Sequence, residues 1–554
     1  MPKRVLIIIL LVAAIVFTSC HNKVEQKESS TLPSLWLTLT PFQLDSIYND
    51  QDNKVKAEAI LLNAQGDTMF QGTLAHIKTR GNTTFREPKK PFGIKFPQKQ
   101  CFFGLENNRS FVLLANACDE SHIRNAIGLD MARVFGIPAS RYAYLILYIN
   151  GYYGGLYQIT NKVDVGKNAI DIINLDKMNQ LVNAKPIDSF EWFGLGREKQ
   201  VILRKGVLLD NNPDDITGGY LLDITGSPQQ YNKSISGFVS EAKDNVRIKS
   251  PQYASAQEVD YIAKRYNEME RAVLSVNGIN PVTGKHYSDY IDVESFARYY
   301  LLNELLMNWD GGWSSFMMYK NRDTIDPKLY AGPAWDYDRT LNNPKFPKKA
   351  GEFENVFYLK DKTGKTGVAY SGGLLHYLCL HEDFQQAVRD CYLNEISSAC
   401  HEYMATRPFD SLITILSHEV EQDEQKYKTR LSDNYDTAIN KMLELLQKRI
   451  AFFDWYYAST EEERVMVLYL SEEGYSREFF YPIGEPIKAP EISKVQYNHD
   501  PVYELYYAGT DSIVPDGTVF QTPQKLELRK REPTKKEVQI RQVKKKLRKI
   551  GIDF

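Results

Sequence analysis

Cysteine is scarce in this 554-residue chain, and long hydrophobic runs are nearly absent. The six cysteines form no CxxC pair, which argues against a structural zinc site and a disulfide scaffold, although one or two disulfides stay open in an exported protein. Neither GxxxxGK[ST] nor GxGxxG occurs, so P-loop enzymes and Rossmann dinucleotide binders find no support. The net charge of −2 indicates that the protein as a whole does not bind nucleic acid.

The first twenty residues, MPKRVLIIILLVAAIVFTSC, have the layout of a secretion signal. Two cations precede an apolar run over residues 5–17 that is too short to span a bilayer. Cys20 follows two small residues and resembles a bacterial lipoprotein processing site, which implies lipid attachment to its thiol and a polar linker over residues 21–31. His21 in the next position favours the outer membrane. The alternative is an ordinary secretory signal with a coincidental cysteine.

Hydrophobic periodicity divides the remaining chain into strand-rich and helix-rich parts, and it indicates an α+β fold. Seven strands and one helix are expected over residues 32–165, and helices with few, short strands over residues 166–458. Short strands return over residues 459–528 as a small β domain, and residues 529–554 form a basic tail able to make a short amphipathic helix. A strand-rich N-lobe before a helix-rich C-lobe is the layout of a bilobal protein kinase, although many α+β proteins share it.

Three carboxylates in the segment 308–339 are the most informative feature of the sequence. Asp310 opens a turn, and a strand–turn–strand then leads to Asp336 and Asp338 in the sequence WDYD. Phosphoryl transfer of the protein-kinase type needs one carboxylate for the proton of the attacking hydroxyl and another to hold Mg²⁺. A paired acid and base would also suit a glycoside hydrolase, but no other feature supports that class.

A glycine-containing turn and a lysine stand together in the first part of the chain. The turn consists of Arg80, Gly81, Asn82, Thr83 and Thr84. Backbone N–H groups and hydroxyls of such a turn can cradle phosphate oxygens, and Lys95 on the next strand can supply positive charge. The alternative for Lys95 is a solvated lysine, with Ile94 and Phe96 packed on the other face of the strand.

Five ordered segments resemble the spore-coat-protein-H (CotH) kinase family over about residues 32–457. RGNTTF followed by KKPFGIKF is similar to the family pattern RGNsTw…KKpyrIKF, and FVLLANACDESHIRNAIGLDMARVFG is similar to its RNklay helix. LILYINGYYGGLYQITNKV and GGYLLDI resemble two further segments. DVESFARYYLLNELLMNWD, followed by PAWDYD, resembles the family core.

The resemblance implies an atypical secretory kinase that uses ATP with Mg²⁺ or Mn²⁺ and phosphorylates protein hydroxyls. Carried over by position, Asp310 is the catalytic carboxylate, and Lys95, with Arg80 and its turn, contacts the nucleotide phosphates. Asp336 or Asp338 holds the metal, with Asp336 favoured. Arg124 and Asn125 are candidates for bracing the cleft.

Two departures from the family pattern leave a second functional class open. Ser315 stands where many kinases have an asparagine that binds metal, and it is a poorer Mg²⁺ ligand that could still hold a metal-bound water. Asn161 stands where the family hairpin commonly reads TEK, so a carboxylate is missing. The sequence therefore favours an exported, lipid-anchored kinase acting on Ser, Thr or Tyr of an unknown protein. A pseudokinase-like scaffold or adhesion module that binds a protein or glycan is the alternative.

Overall fold

Three large β-sheets and one two-stranded sheet organise the described part of the chain in the computed structural model. The structure describes residues 31–166, 170–308, 311–312, 314–345, 355–356, 373–427, 434–470, 476–490 and 502–548. The architecture is mixed α+β, as the periodicity predicts. Cys20 and Asp310 lie outside the described residues.

The first sheet has eight strands and confirms the strand-rich first part. Its strands are β1 (Ser34–Thr38), β2 (Glu58–Leu62), β3 (Thr68–Thr73), β4 (His76–Thr79), β5 (Phe92–Gln100), β6 (Asn108–Leu114), β7 (Tyr142–Ile149) and β8 (Tyr152–Asn161). Their order is β3-β2-β1-β7-β8-β6-β5-β4, antiparallel except where β1 pairs with β7.

Two helices, not the single one predicted, interrupt this sheet. Helix α1 (Pro41–Asn49) was missed, although Thr40 and Gln43 form a capping box and Pro41 takes the first turn. Helix α2 (Arg124–Val134) begins later than its sequence pattern suggests, and the Asp119 carboxylate accepts the first backbone N–H of the helix at 2.9 Å.

The second sheet corrects the expectation that strands are few and short between residues 166 and 458. Its strands are β9 (Trp192–Glu198), β10 (Val201–Val207), β11 (Tyr220–Thr225), β12 (Ser236–Val239), β13 (Asn245–Ser250), β14 (Ser314–Lys320) and β15 (Leu329–Ala331). The order is β15-β14-β11-β13-β12-β10-β9. The antiparallel pair β14–β15 is the strand–turn–strand predicted between Asp310 and Asp336.

The remaining helices of this region include those that the sequence predicts over residues 253–275, 292–309, 382–404 and 434–457. They are α3 (Leu175–Val182), α4 (Pro228–Lys233), α5 (Ala256–Leu274), α6 (Val293–Leu305), α7 (Gly373–Leu378), α8 (Glu382–Cys391), α9 (Ser397–Thr406), α10 (Asp410–Tyr427) and α11 (Tyr435–Ala458). A π-helical turn, Tyr392–Ile396, joins α8 to α9, which the sequence presents as one continuous helix.

The C-terminal strands form a third sheet with its own small hydrophobic core. Its strands are β16 (Asn355–Val356), β17 (Arg464–Leu470), β18 (Ser476–Pro482), β20 (Val502–Tyr507), β21 (Ile513–Val514) and β23 (Gln524–Arg531). Strands β19 (Pro486–Ile487) and β22 (Thr518–Val519) pair separately, and helix α12 (Lys535–Arg548) follows. Strand β16 comes from the segment after WDYD, far from the other strands in sequence.

The largest hydrophobic core joins α2, one face of each of the first two sheets and the helices from α5 to α11. A second core fills the other face of the first sheet, under α1. Cys101, Cys118, Cys379, Cys391 and Cys400 are all free thiols, so the disulfides left open by the sequence do not form. Within the described part of the chain, no helix combines the length and apolar character that a membrane span requires.

Candidate functional site

A cleft of about 1030 Å³ lies between the first and second sheets. Strands β4, β5 and β6 line one wall, and β11, β13 and β14 line the other. This volume is at the upper end of what small-molecule sites occupy, about 300–1,000 Å³. The cleft therefore has room for a ligand of nucleotide size.

The glycine turn between β4 and β5 forms one rim of the cleft, and all five of its residues line it. Gly81 has a φ of +96°, and a Cβ there would overlap the Thr84 hydroxyl, so the turn requires glycine. Burial lowers the pKa of Arg80, and the nearby carboxylate of Asp336 opposes that shift.

The WDYD turn faces the glycine turn across the cleft, as two direct contacts show. The guanidinium of Arg80 lies 5.5 Å from the ring centroid of Trp335, a cation–π contact. Arg339 donates a hydrogen bond to the Thr83 hydroxyl at 3.0 Å. Two motifs about 250 residues apart in sequence thus meet at one site.

Lys95 lies on β5 and lines the cleft, opposite His76 in the register. Burial lowers its pKa, and the charge of Arg109 adds to the effect. Ile94 and Phe96 are buried in the core on the other face of the sheet. Lys95 therefore lies in the cleft while its two neighbours pack on the other face, and its contact with phosphate stays a prediction.

Asp336, Asp338 and Ser315 all line the cleft. Asp336 is exposed, and its Oδ2 accepts a hydrogen bond from the Ser315 hydroxyl at 2.9 Å. Asp336 and Ser315 both have a left-handed backbone conformation, with φ of 75° and 59°, respectively. Asp338 is buried, and its backbone carbonyl accepts a bond from Asn343 at 2.6 Å. Asp336 is thus the more accessible of the two carboxylates.

Helix α2 holds the WDYD turn in place through the two residues that the sequence proposed as braces. Asn125 accepts the backbone N–H of Tyr337 at 2.8 Å, and Arg124 donates to the backbone carbonyl of Thr340 at 3.1 Å. The ring of Tyr337 packs so closely on Gly128 that a Cβ there would overlap it.

Asp310 lies outside the described residues, but a hydrogen-bonded network forms around its neighbours in the chain. Asn308 donates its side-chain amide to Asn303 at 2.8 Å, and the Gly311 backbone N–H donates to the Asn308 carbonyl at 3.2 Å. The Tyr299 hydroxyl donates to the Gly311 carbonyl at 3.2 Å. Asn303 and Tyr299 belong to α6, so this helix anchors the chain on both sides of Asp310.

The second sheet supplies charged groups that sequence reasoning missed. Asp223 on β11 is buried and pairs with Arg247 at 2.5 Å and with Lys249 at 3.5 Å, both on β13. Burial lowers the pKa of Lys249 to about 8, and Arg247, Lys162 and Arg80 add to the shift while Asp223 opposes it. The available signal was the alternation in β13, where Val246 and Ile248 enter the core and the two basic residues do not.

A family model described as "CotH kinase protein" matches residues 77–453, which is most of the chain. The chain belongs to the CotH kinase family. The comparison with curated proteins finds no match. The family match includes the glycine turn, Lys95, the segment around Asp310 and WDYD, and it ends before β17, so that β16 is the one strand of the third sheet inside it among the described residues.

Asn161 shows how this member of the CotH kinase family accommodates one departure from the family pattern. Its side-chain amide accepts from the Glu106 backbone N–H at 2.9 Å and donates to the Glu106 carbonyl at 2.8 Å. The residue is buried at the end of β8. Asn161 therefore joins the end of β8 to the loop between β5 and β6, and its neutral amide does so with both a donor and an acceptor.

The described residues fit a hard divalent cation of the kind that the CotH kinase family suggests. Among them, no cluster of three or more His, Cys, Asp or Glu could hold a metal ion by itself. Mg²⁺ does not need such a cluster, because it binds through one or two carboxylates together with waters and substrate phosphates. Asp336 and Asp338 supply that number, and the surrounding cations suit a polyphosphate.

Proposed function

We propose that this CotH kinase family protein is an atypical protein kinase that transfers the γ-phosphate of ATP to Ser, Thr or Tyr hydroxyls. The observation that carries the proposal is the meeting of the glycine turn and the WDYD turn across one cation-lined cleft. A bilobal kinase-like arrangement, with the first sheet as N-lobe and the rest of the family region as C-lobe, belongs to the same proposal.

Each site residue has a proposed role in this reaction. Arg80, with Gly81, Asn82 and Thr83, cradles the phosphates, and Lys95 adds positive charge from β5. Asp310 accepts the proton of the acceptor hydroxyl, whose oxygen attacks the γ-phosphorus as ADP leaves. Asp336 and Asp338 would hold Mg²⁺ or Mn²⁺, which would supply positive charge to neutralise the phosphates, and Ser315 orients Asp336.

A thermal-shift titration of the full-length protein with ATP, with and without Mg²⁺ or Mn²⁺, tests the nucleotide site. We expect saturating stabilisation that requires the metal, because a ligand that binds only the folded state raises its stability. The shift should disappear in Asp336→Asn and persist in Asp516→Asn, a control far from the cleft in the third sheet region. No shift with any nucleotide or metal would refute the site.

A pseudokinase-like scaffold is the second candidate, and the Ser315 and Asn161 departures support it. A scaffold of this kind would bind a protein or glycan and transfer no phosphate. Radiolabelled ATP distinguishes the two: nucleotide binding without transfer to any protein of the native envelope favours the scaffold.

Export and lipid anchoring are also part of the proposal, with Cys20 as the lipidated residue and the outer membrane as the location. Metabolic labelling with a radioactive fatty acid tests this directly. Label should enter the wild-type protein and be lost in Cys20→Ser. Label retained in that variant would rule out Cys20 as the attachment site.

A further inference from the structure

The cleft face of the first sheet carries a line of basic residues, four lysines and one histidine, that extends well beyond the glycine turn. We define the cation row as Lys54, His76, Lys78, Lys95 and Lys162. His76 lies opposite Lys95 in the register, and Lys95 lies opposite Ser110, whose carbonyl accepts the Lys162 backbone N–H at 3.1 Å. The row therefore crosses the sheet from strand to strand.

The two ends of the row are far apart. Lys54 precedes Val55, which bridges to Ile77 beyond the edge of β4, and Lys162 follows β8 at the other side. Four strand spacings separate these ends, which corresponds to about 19 Å at about 4.8 Å per spacing. An extended peptide of roughly six residues covers that length at about 3.3 Å per residue.

The described residues offset the positive charge of the row only in part. None of its five members forms an ion pair with another described residue. Burial and then the four neighbouring lysines, with Lys54 first, lower the pKa of His76 to about 4, so its imidazole is neutral at physiological pH. Asp52 near Lys78 and Asp164 near Lys95 are the carboxylates that partly offset the lysines.

The whole cleft also has more basic side chains than carboxylates. Nine basic side chains line its described surface against five carboxylates: Lys54, Lys78, Arg80, Lys95, Lys162, Lys233, Arg247, Lys249 and Arg339 against Asp52, Asp188, Asp223, Asp336 and Asp338. A nucleotide held by Arg80 and Lys95 would leave Lys54 and Lys162 unsatisfied on either side. The positive electrostatic potential of these lysines attracts a second, extended anion.

We propose that the two ends of the cation row, Lys54 and Lys162, bind an acidic or phosphorylated segment of the acceptor protein by contacting its anionic side chains on either side of the nucleotide that Lys95 contacts. The acceptor hydroxyl lies on the same segment and reaches the Asp336 end of the cleft. This proposal rests on the proposed kinase function and adds a substrate class to it.

Fluorescence anisotropy with labelled peptides tests the row without requiring catalysis. Four peptides share one acceptor Ser and differ in their flanks, which are glutamate-rich, phosphoserine-containing, neutral or lysine-rich. We expect the full-length protein to bind the two anionic peptides at least tenfold more tightly than the others, with affinity falling as salt rises. The glutamate and phosphoserine arms identify which anion is preferred.

The double variant Lys54→Gln/Lys162→Gln should lose at least tenfold in affinity for the anionic peptides and keep the ATP-dependent thermal shift. Both side chains are exposed, so their replacement leaves the core intact. Lys99→Gln is the matched control, because Lys99 lies exposed on β5 but outside the cleft. Its peptide affinity should equal that of the wild type.

Three results would overturn the proposal: equal binding of neutral and anionic peptides, unchanged anionic-peptide affinity in the double variant, or loss of the ATP shift in that variant. The last result would assign the row to the nucleotide. A wild-type protein that shows no ATP shift would refute the kinase proposal, whereas the peptide titration would still decide whether the row binds anions.

Discussion

Ser315 and Asp336 form a strained pair at the centre of the candidate site. Each has a positive φ, which costs a non-glycine residue of order 1–3 kcal/mol and persists only where surrounding contacts impose it. The hydrogen bond between them is one such contact. Serine at this position is therefore engaged in orienting the carboxylate, whatever it contributes to metal binding.

Substitutions at Ser315 distinguish its role in orienting Asp336 from any role in binding metal. Ser315→Ala removes the donor to Asp336 and should weaken metal-dependent ATP binding about tenfold, equivalent to about 1.4 kcal/mol. Ser315→Asn tolerates the left-handed backbone and restores a carboxamide, so we expect it to increase phosphoryl transfer. Titration of ATP at fixed Mg²⁺ and initial rates measure the two effects. An Asn variant with wild-type rates would show that another group already fills the role.

The carboxylates at the two ends of the predicted strand pair should respond differently to substitution. Asp310→Asn should keep the ATP-dependent thermal shift and reduce transfer by at least about a hundredfold, because general-base catalysis contributes about 10²–10⁴. Asp336→Asn should abolish the shift itself. Single-turnover assays with saturating ATP provide the measurement, and transfer at the wild-type rate in Asp310→Asn would refute the catalytic assignment.

At the scale of single residues, the sequence could predict those that belong to local motifs. Arg80, Lys95, Asp336 and Ser315 were selected from such motifs and all line the cleft, while their roles there stay predictions. Asp223, Arg247 and Lys249 were missed because their strands reach the cleft only through the pairing of β11 with β13 and β14. The spacing of residues along the chain does not show that these strands reach the cleft.

At the scale of elements, a buried ion pair and its hydrogen bonds fasten helix α10 to β8 and to the segment before β5. Lys89 and Asp423 lie 2.7 Å apart and are almost fully buried. Lys89 also donates to the Leu156 carbonyl, and Asp423 accepts the Leu156 backbone N–H at 2.9 Å. Burial lowers the pKa of Lys89, and Asp423 opposes that shift, so the pair depends on both members.

Breaking this pair should cost far more than breaking an exposed one. Lys89→Met leaves a buried, unpaired carboxylate, and we expect a loss of about 3–5 kcal/mol in the free energy of unfolding. Lys448→Met, which breaks the exposed pair with Glu444, should leave the free energy of unfolding nearly unchanged, because solvent screens an exposed pair. Urea denaturation measures both. In a double-mutant cycle, Lys89→Met with Asp423→Asn should cost less than the sum of the single changes; strict additivity would contradict the coupling.

Helices were easier to predict than strands for a physical reason. The apolar spacing of α5, α6 and α11 is local and long enough to be unambiguous. The second sheet instead assembles strands separated by α4, α5 and α6, in an order that does not follow the chain. Strand β9 is mostly exposed and shows no alternation, so nothing in its sequence marks it as paired.

At the scale of the whole molecule, the charge on the cleft walls should make nucleotide binding depend on pH. The Lys249 ammonium, with a pKa of about 8, is charged at pH 7 and favours phosphate binding. It loses its proton as the pH rises through 8, so ATP affinity should fall between pH 7 and 9. Calorimetric titration across that range is the measurement, and Lys249→Gln should flatten the profile. An equal fall in that variant would assign the effect to another group.

The same lysine affects the stability of the free protein in the opposite direction. Its pKa in the folded state lies below the ordinary value of 10.5, so the unfolded chain binds more protons between pH 8 and 10.5. The contribution of Lys249 to the free energy of unfolding therefore increases as the pH rises through that range. Stability and ATP affinity should diverge, which distinguishes this mechanism from general alkaline unfolding.

Strand β16 has a consequence for how the protein can be divided. It lies inside the region matched to the family, yet it pairs with β18, which lies outside. Phe480 of β18 also packs on Tyr456, with ring centroids 5.0 Å apart. A fragment trimmed at the family boundary would end within α11, strip a partner from β16 and uncover an aromatic surface that promotes aggregation. The family match and the independently folding unit therefore have different ends. The matched region ends at residue 453, whereas the smallest fragment that should be expressed alone continues through β23.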